Sequence, residues 1–180
     1  CGNIRLPNFI NIDFRKTDSV DLIENVATLK SFKENSVDLI YTCHVLEHFT
    51  RWDYKNVLKR WYEILKPGGT LRVALPDFEV IAEYYVETKD INTIRGTIYG
   101  HQDYEGNFHH WCWDFNTLKN ELEEIGFNTI ERYDFRETEH SQVKDWSWDH
   151  LPRLYEDGSI IPDEEWIKGR LISLNVQCKK

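Results

Sequence analysis

Methionine is absent from all 180 residues, position 1 included, and from this we expect a segment upstream of Cys1. Basic charge is scarce. Lys and Arg number 22 against 31 Asp and Glu, for a net charge of −9, and the longest basic cluster is Lys179–Lys180. A duplex-binding protein carries a basic stripe that replaces phosphate counterions, so nucleic acid is disfavoured as a bulk partner. The four cysteines, Cys1, Cys43, Cys112 and Cys178, are scattered with no CxxC pair. That pattern favours reduced thiols, and a cytoplasmic location, over a disulfide framework. No run of 18 apolar residues is present, so no helical membrane span is expected. The N-terminus lacks the basic start and apolar block of a signal peptide. Repeats, low-complexity tracts and convincing internal linkers are missing too.

What is present is globular. Hydrophobic residues make up 41% and aromatics 14%, and the length suits one domain with a full core. Phe9–Asp13 and Val37–Thr42 read as strands, with a weaker strand-and-turn segment in Asp21–Phe32. Tyr54, Val57, Leu58, Trp61, Tyr62 and Leu65 recur at helical spacing, and Pro67–Gly68–Gly69 reads as the stop. Thr70–Leu75 is the next strand, and Asp77 is placed to cap a helix carrying Phe78, Ile81, Ala82, Tyr85 and Val86. Ile91–Asp114 reads as irregular. Phe115–Ile125 reads as a helix capped by Gly126, and Asn128–Phe135 and Arg170–Cys178 as strands. Strands alternating with helices call for a mostly parallel α/β sheet covered on both faces. Ligands on such sheets sit at the carboxyl ends of strands, which directs attention to Asp13, Cys43–His48 and Pro76–Asp77.

Asp13 closes a strand eleven residues after Gly2. A carboxylate there can accept both hydroxyls of a ribose, though a turn residue reads the same way. Cys1–Gly2–Asn3 fits the end of a glycine turn that lets backbone approach a ligand. HVLEH (His44–His48) is literally H-x-x-E-H, the inverted zinc-protease pattern. Here, however, its first histidine sits at a strand end and not within a helix, and no acidic third ligand stands out. Its other reading makes His44 a pocket residue at the strand tip and His48 structural. Tyr99–Trp113 (YGHQDYEGNFHHWCW) crowds His101, His109, His110 and Cys112 among aromatics at no standard zinc spacing, so we expect no metal there. A substrate wall is preferred over a purely structural loop. Trp146, Trp148 and Trp166 read as packing.

Taken together, FINID, HVLEHF, LKPGGTLRVALPD, the GHQDYEGNFH segment and the terminal SLNV strand span the chain. In that order they resemble a compact group of bacterial and phage class I S-adenosylmethionine-dependent methyltransferases. The resemblance implies a Rossmann-like sheet, mostly parallel with an antiparallel C-terminal strand and helices on both faces. Its first strand would precede Cys1. It further implies S-adenosylmethionine as cofactor and S-adenosylhomocysteine as product. The single domain 1–180 would divide into a cofactor-binding half, 1–77, and a substrate-side half, 78–180. The latter holds the aromatic and histidine loop 99–113 and an acidic, Trp-rich excursion, 138–169.

Residue by residue, Cys1, Gly2 and Asn3 would lie under the methionine part of the cofactor. Asp13 would hold the ribose and Phe14 would lie against the adenine. Asn25, where an aspartate is usual, would accept the adenine amino group. Val26 and Ala27 would supply backbone contacts, and Cys43 and His44 would face the methyl-bearing sulfur. The short link from Gly2 to Asp13 leaves no room for a crossover helix. Methyl transfer is an in-line displacement in which the protein aligns the acceptor and often removes its proton. His44, then His109, then Glu47 are the candidate bases, and Tyr104, Asn107, His109 and His110 the candidate acceptor contacts. The acceptor is expected to be an oxygen or nitrogen of a small molecule or glycan. The alternatives are a catalytically weak Rossmann-like binding module and, third, a zinc hydrolase using His44, Glu47 and His48.

Overall fold

The strand expected at Thr70–Leu75 starts earlier and runs for twelve residues, Leu65–Pro76. A computed structural model describes residues 2–155 and 157–180. In chain order its elements are β1 (Ile12–Asp13), β2 (Leu22–Ile23), β3 (Val37–Cys43), α1 (Tyr54–Ile64), β4 (Leu65–Pro76), α2 (Phe78–Thr88), α3 (Ile91–Tyr99) and α4 (Phe115–Ile125). They continue with β5 (Asn128–Arg132), β6 (His150–Leu151), α5 (Asp163–Trp166), β7 (Arg170–Leu171) and β8 (Ser173–Lys179). Single 3-10 turns lie at Leu46–His48, Phe135–Glu137 and Trp146–Trp148.

The main sheet has the order β3-β4-β8-β5. β4 pairs with β3 in parallel and with β8 antiparallel, and β8 is antiparallel to β5. β3, β4 and β5 therefore run one way and β8 alone runs back, the mostly parallel Rossmann-like arrangement with a reversed last strand. β1 and β2 form a separate two-stranded parallel ladder. No strand among the described residues lies between the two ladders. Among the described residues no helix is long and apolar enough to cross a membrane.

The period-3.6 stripe of α1 does what its spacing requires: Tyr54, Val57, Leu58, Trp61 and Ile64 are all buried. They pack with Leu118 and Leu122 of α4 against Leu71, Val73 and Leu75 of β4 and Leu174, Val176 and Cys178 of β8. Alternation along those strands turns Arg72 and Asn175 to the opposite face. That face is polar and is covered by residues 138–149. Arg72 pairs with Glu139 at 2.6 Å, the Tyr41 hydroxyl donates to Asp145 at 2.6 Å, and Asn175 Nδ2 donates to the Ser147 carbonyl at 2.9 Å.

Two local expectations change. The helix ends at Ile64, before the KPGG run, because Leu65 already pairs with Val37 and the run joins β4. Part of the segment expected to be irregular is the helix α3. Asp90 caps it by accepting from the Asn92 and Thr93 amides, which offsets the poor helix propensity of Gly96 and the β-branched residues around it.

His140 is the weak point of the polar face. It packs on Tyr41 with ring centroids 3.9 Å apart and meets Phe9 edge-on at 5.8 Å, yet neither ring nitrogen has a hydrogen-bond partner. Burial holds its pKa below the ordinary value. In the unfolded chain the ring titrates near ~6.5, so below that pH the unfolded state binds the proton first and stability falls with acid. His140→Phe is predicted to raise the melting temperature below about pH 6.5 and flatten the acid limb of the stability profile. An acid limb of unchanged slope in thermal melts would contradict this.

Candidate active site

The glycine turn and Asp13 are built against each other. Gly2, at φ +56°, donates its amide to Asp13 Oδ2 at 2.8 Å, and the Arg15 amide donates to Oδ1 at 2.9 Å. Thr17 and Ser19 hydroxyls hold the Gly2 and Asn3 carbonyls, each at 2.9 Å. Burial pushes the Asp13 carboxyl up, but the Arg15 and Gly2 amides outweigh it, and its pKa is lowered. An ionised acceptor therefore stands at the carboxyl end of β1. Cys1 lies outside the described residues. Phe14, which follows Asp13 in the chain, is exposed.

Behind this edge, α1 braces the turn that carries Asn25, Val26 and Ala27. Arg60 donates to the carbonyls of Thr28, Leu29 and Phe32, and Trp61 Nε1 donates to the Val26 carbonyl at 2.8 Å. Asn25 Oδ1 already accepts from the Ala27 amide at 2.8 Å, so the oxygen expected to face an adenine amino group also makes an Asx turn. Buried Asn11 ties β1 to β2: its side chain bonds Leu6, Phe9 and Asp21, and its amide donates to Asp21. Neither brace is legible in the sequence: Arg60 and Trp61 reach backbone in a turn far back along the chain, and Asn11 meets Asp21 only because β1 and β2 pair.

At the tip of β3 the candidate bases meet. His44 has a left-handed φ of +50°, a conformation rare outside glycine and often found at functional positions. Its Nδ1 lies 3.3 Å from Glu47 Oε1, and His109 Nε2 lies 4.0 Å from the same oxygen. Glu47 is 1% exposed, and neither of its carboxylate oxygens, nor His44 Nε2, has a hydrogen-bond partner. Burial pushes Glu47 up to about 8. Burial, then His109, holds His44 at about 3. Burial, then His48, holds His109 at about 4. Near pH 7 the cluster is thus largely uncharged. Cys43 lies instead toward Tyr41 and Asp145, and burial raises its thiol. HVLEH is a strand end followed by one 3-10 turn, so His44 and His48 do not share a helix face as the zinc-protease pattern requires.

The 99–113 segment docks onto this tip. The His110 amide donates to the Glu47 carbonyl at 2.8 Å, and His48 Nδ1 sits 3.0 Å from the Phe108 carbonyl. Its far end is anchored by Glu121, which accepts from Trp113 Nε1 at 2.6 Å and from the Tyr54 hydroxyl at 2.7 Å. Glu47, His109 and His110 line a pocket of about 210 Å³ with Phe78, Tyr99 and Trp111 among its aromatic walls. Tyr104 does not line it; the ring packs under the Arg15 guanidinium at 4.2 Å, beside Asp13. Asn107 braces the loop internally through Asp103 and the Gln102 amide. The loop therefore joins the Asp13 edge to the His44–Glu47 tip. A second cavity, about 290 Å³, is lined by Ile4, Trp146, Arg153 and Trp166 among others; two of the tryptophans that read as packing thus form its wall, and none of the candidate catalytic, cofactor or acceptor residues does.

Residues 7–73 match the family described as "Methyltransferase domain". No curated protein matches the chain. Among solved structures it is similar to a SAM-dependent methyltransferase from Archaeoglobus fulgidus, at 17% identity and TM-score 0.54, over 94% of this chain and 74% of that one. It is similar to a methyltransferase from Haloferax volcanii solved with its Trm112 activator, at 16% identity and TM-score 0.52, over 92% and 64%. A third is the Burkholderia thailandensis 1,6-didemethyltoxoflavin-N1-methyltransferase solved with 1,6-didemethyltoxoflavin and S-adenosylhomocysteine. It is 11% identical with TM-score 0.53, over 94% and 59%. This chain thus spans less than two thirds of the length of the last two.

Gly100 decides whether the loop can close. Its φ is +77°, and a Cβ there would meet the Asn107 carbonyl oxygen at 2.5 Å. Gly100→Ala is predicted to cost about 1–3 kcal/mol locally and to raise hydrogen exchange at 100–109 while β4 stays protected. Equal protection in the variant and the parent would contradict this.

Proposed function

We propose that this chain, a methyltransferase-domain protein of the class I S-adenosylmethionine-dependent fold, moves a methyl group from S-adenosylmethionine to an oxygen or nitrogen of a small molecule or glycan. The observation that carries the reading is the loop 99–113. One of its ends packs on the Asp13–Arg15 edge through Tyr104 while its other end brings His109 to Glu47. A cofactor held at the first edge and an acceptor held at the second would be neighbours across the strand tips.

In this reading Asp13, an ionised and therefore acceptor-only carboxylate, accepts the ribose hydroxyls. Gly2 and Asn3 pass beneath the methionine part, with Cys1 preceding them, and Phe14 lies against the adenine. Asn25, Val26 and Ala27 close the adenine side, the turn being stiffened by Arg60 and Trp61. The cofactor brings the reactive sulfonium. The chain's task is to align the acceptor and accept its proton.

Among the candidates, Glu47, pushed up to about 8 by burial, titrates nearest the operating pH, and its ionised form, the minority near pH 7, is the base. His109 shares its wall. His44, held at about 3, is a weak base and serves to position Glu47 from 3.3 Å. Tyr104, Asn107 and His110 shape the acceptor side. The aromatic pocket of about 210 Å³ favours a small, partly apolar acceptor.

Transfer of labelled methyl from S-adenosylmethionine to a panel of amines, phenols and sugars tests the reading. The account predicts turnover on at least one acceptor class, with Glu47→Gln lowering kcat by about 10²–10⁴-fold and leaving S-adenosylhomocysteine affinity within a few-fold. A folded chain that binds the cofactor and yields no transfer to any acceptor would move the assignment to a non-catalytic binding module.

A further inference from the structure

Glu47, His48 and His109 each offer one ligand atom, and these three atoms lie within 4.8 Å of one another. Two further observations mark the cluster as built for a ligand. Both oxygens of the Glu47 carboxylate are buried without a hydrogen-bond partner, a costly arrangement unless something satisfies them. Each histidine also turns its outer nitrogen to a main-chain carbonyl: His48 Nδ1 to Phe108 at 3.0 Å and His109 Nδ1 to Thr97 at 2.8 Å. A carbonyl can only accept, so both rings carry their proton on Nδ1 and leave Nε2 as a lone-pair donor. Orientation of a ligating histidine by a backbone carbonyl on its far nitrogen is the usual second support of a metal site. The two rings meet edge to face with centroids 4.9 Å apart.

We propose that Glu47, His48 and His109 bind one divalent transition-metal ion of the zinc type, facing the acceptor pocket. The donor set of two imidazoles and one carboxylate suits Zn²⁺, whereas Mg²⁺ and Ca²⁺ favour all-oxygen shells. Zinc–nitrogen and zinc–oxygen bonds of about 2.0–2.2 Å put tetrahedral ligands roughly 3.4 Å apart. The 4.0 Å between His109 and Glu47, and the spread of up to 4.8 Å over the three ligand atoms, therefore require the side chains to close in on the ion. Three protein ligands leave a fourth position open, and it opens on the pocket that Glu47 and His109 line.

The set differs from the H-x-x-E-H reading of the sequence: His44 stays outside as a brace for Glu47, and the loop histidine His109 replaces it. The ion would clip the 46–48 turn to the loop. It would also present a Lewis acid to the acceptor heteroatom in place of the bare carboxyl. This rests on the acceptor-pocket reading above and adds to it the group that the pocket wall presents.

Calorimetric titration of ZnCl₂ into chelator-stripped protein tests the site, with MgCl₂ as control and S-adenosylhomocysteine titrated into the same sample. The expected result is one Zn²⁺ per chain at micromolar affinity or tighter. His48→Gln and Glu47→Gln should each weaken it at least tenfold, and His101→Gln should leave it unchanged. In the unaltered protein, zinc should shift the ring-nitrogen resonances of His48 and His109, a readout that stands even if a variant fails to fold. No saturable binding, or binding that moves neither resonance, overturns the site. Cofactor binding without zinc binding overturns this inference alone. Zinc binding without cofactor binding supports the metal site and removes the methyltransferase reading beneath it.

Discussion

The double pairing of β4 is the constraint on which the rest depends. Every residue from Thr70 to Pro76 is paired on the β8 side, and Leu39–Cys43 of β3 pair with Thr70–Ala74 on the other. A strand paired on both edges and buried on both faces cannot slide without turning Leu71, Val73 and Leu75 out of the core. Its register therefore fixes where β3 ends, and so where His44 and Glu47 stand. It also fixes Asp77, which is fully buried, caps α2 through the Glu79 amide and pairs with Arg132 at 3.0 Å. Asp77 stands at a strand end where such sheets hold ligands, but its carboxylate oxygens anchor α2 and β5.

The two edges of the candidate site are stiffened by different means. At the Asp13 edge the work is done by backbone amides and by Arg60, Trp61 and Asn11, whose hydrogen bonds hold the main chain in one geometry. At the β3 tip the supports are fewer and the burial deeper. Glu47 is enclosed with His44 and His109, and burial keeps all three near neutrality. An enclosed acid with no hydrogen-bond partner is poised for whatever arrives, whether an acceptor's proton or a cation. The 99–113 loop makes the enclosure. It brings His109 to within 4.0 Å of Glu47 and bonds the His110 amide to the Glu47 carbonyl.

Much of this was legible from local pattern. The α1 stripe, the Asp77 cap, Gly126 as a C-cap and the strand-end position of Asp13 follow from spacing and residue type. α3 was hidden because Gly96, Thr93 and Thr97 lower helix propensity, and only the Asp90 cap argues for it. The meeting of His48 with His109 was hidden for another reason: sixty-one positions separate them, and only the docking of the loop brings their rings together. The Arg15–Tyr104 contact and the Arg60 brace are invisible on the same ground. The resemblance carried the site as a set of positions. The structure adds which of them touch: of the candidate acceptor contacts, His109 and His110 line the pocket beside Glu47, and Tyr104 and Asn107 do not.

The central claim is that the Asp13 edge is a cofactor site. A calorimetric titration of S-adenosylhomocysteine into the chain and into its Asp13→Ala variant, each confirmed folded by circular dichroism, addresses it most directly. The account predicts one site of micromolar affinity that weakens at least tenfold, about 1.4 kcal/mol or more, when the carboxylate is removed. Absence of saturable binding to the folded chain, or equal affinity in the variant, would contradict it.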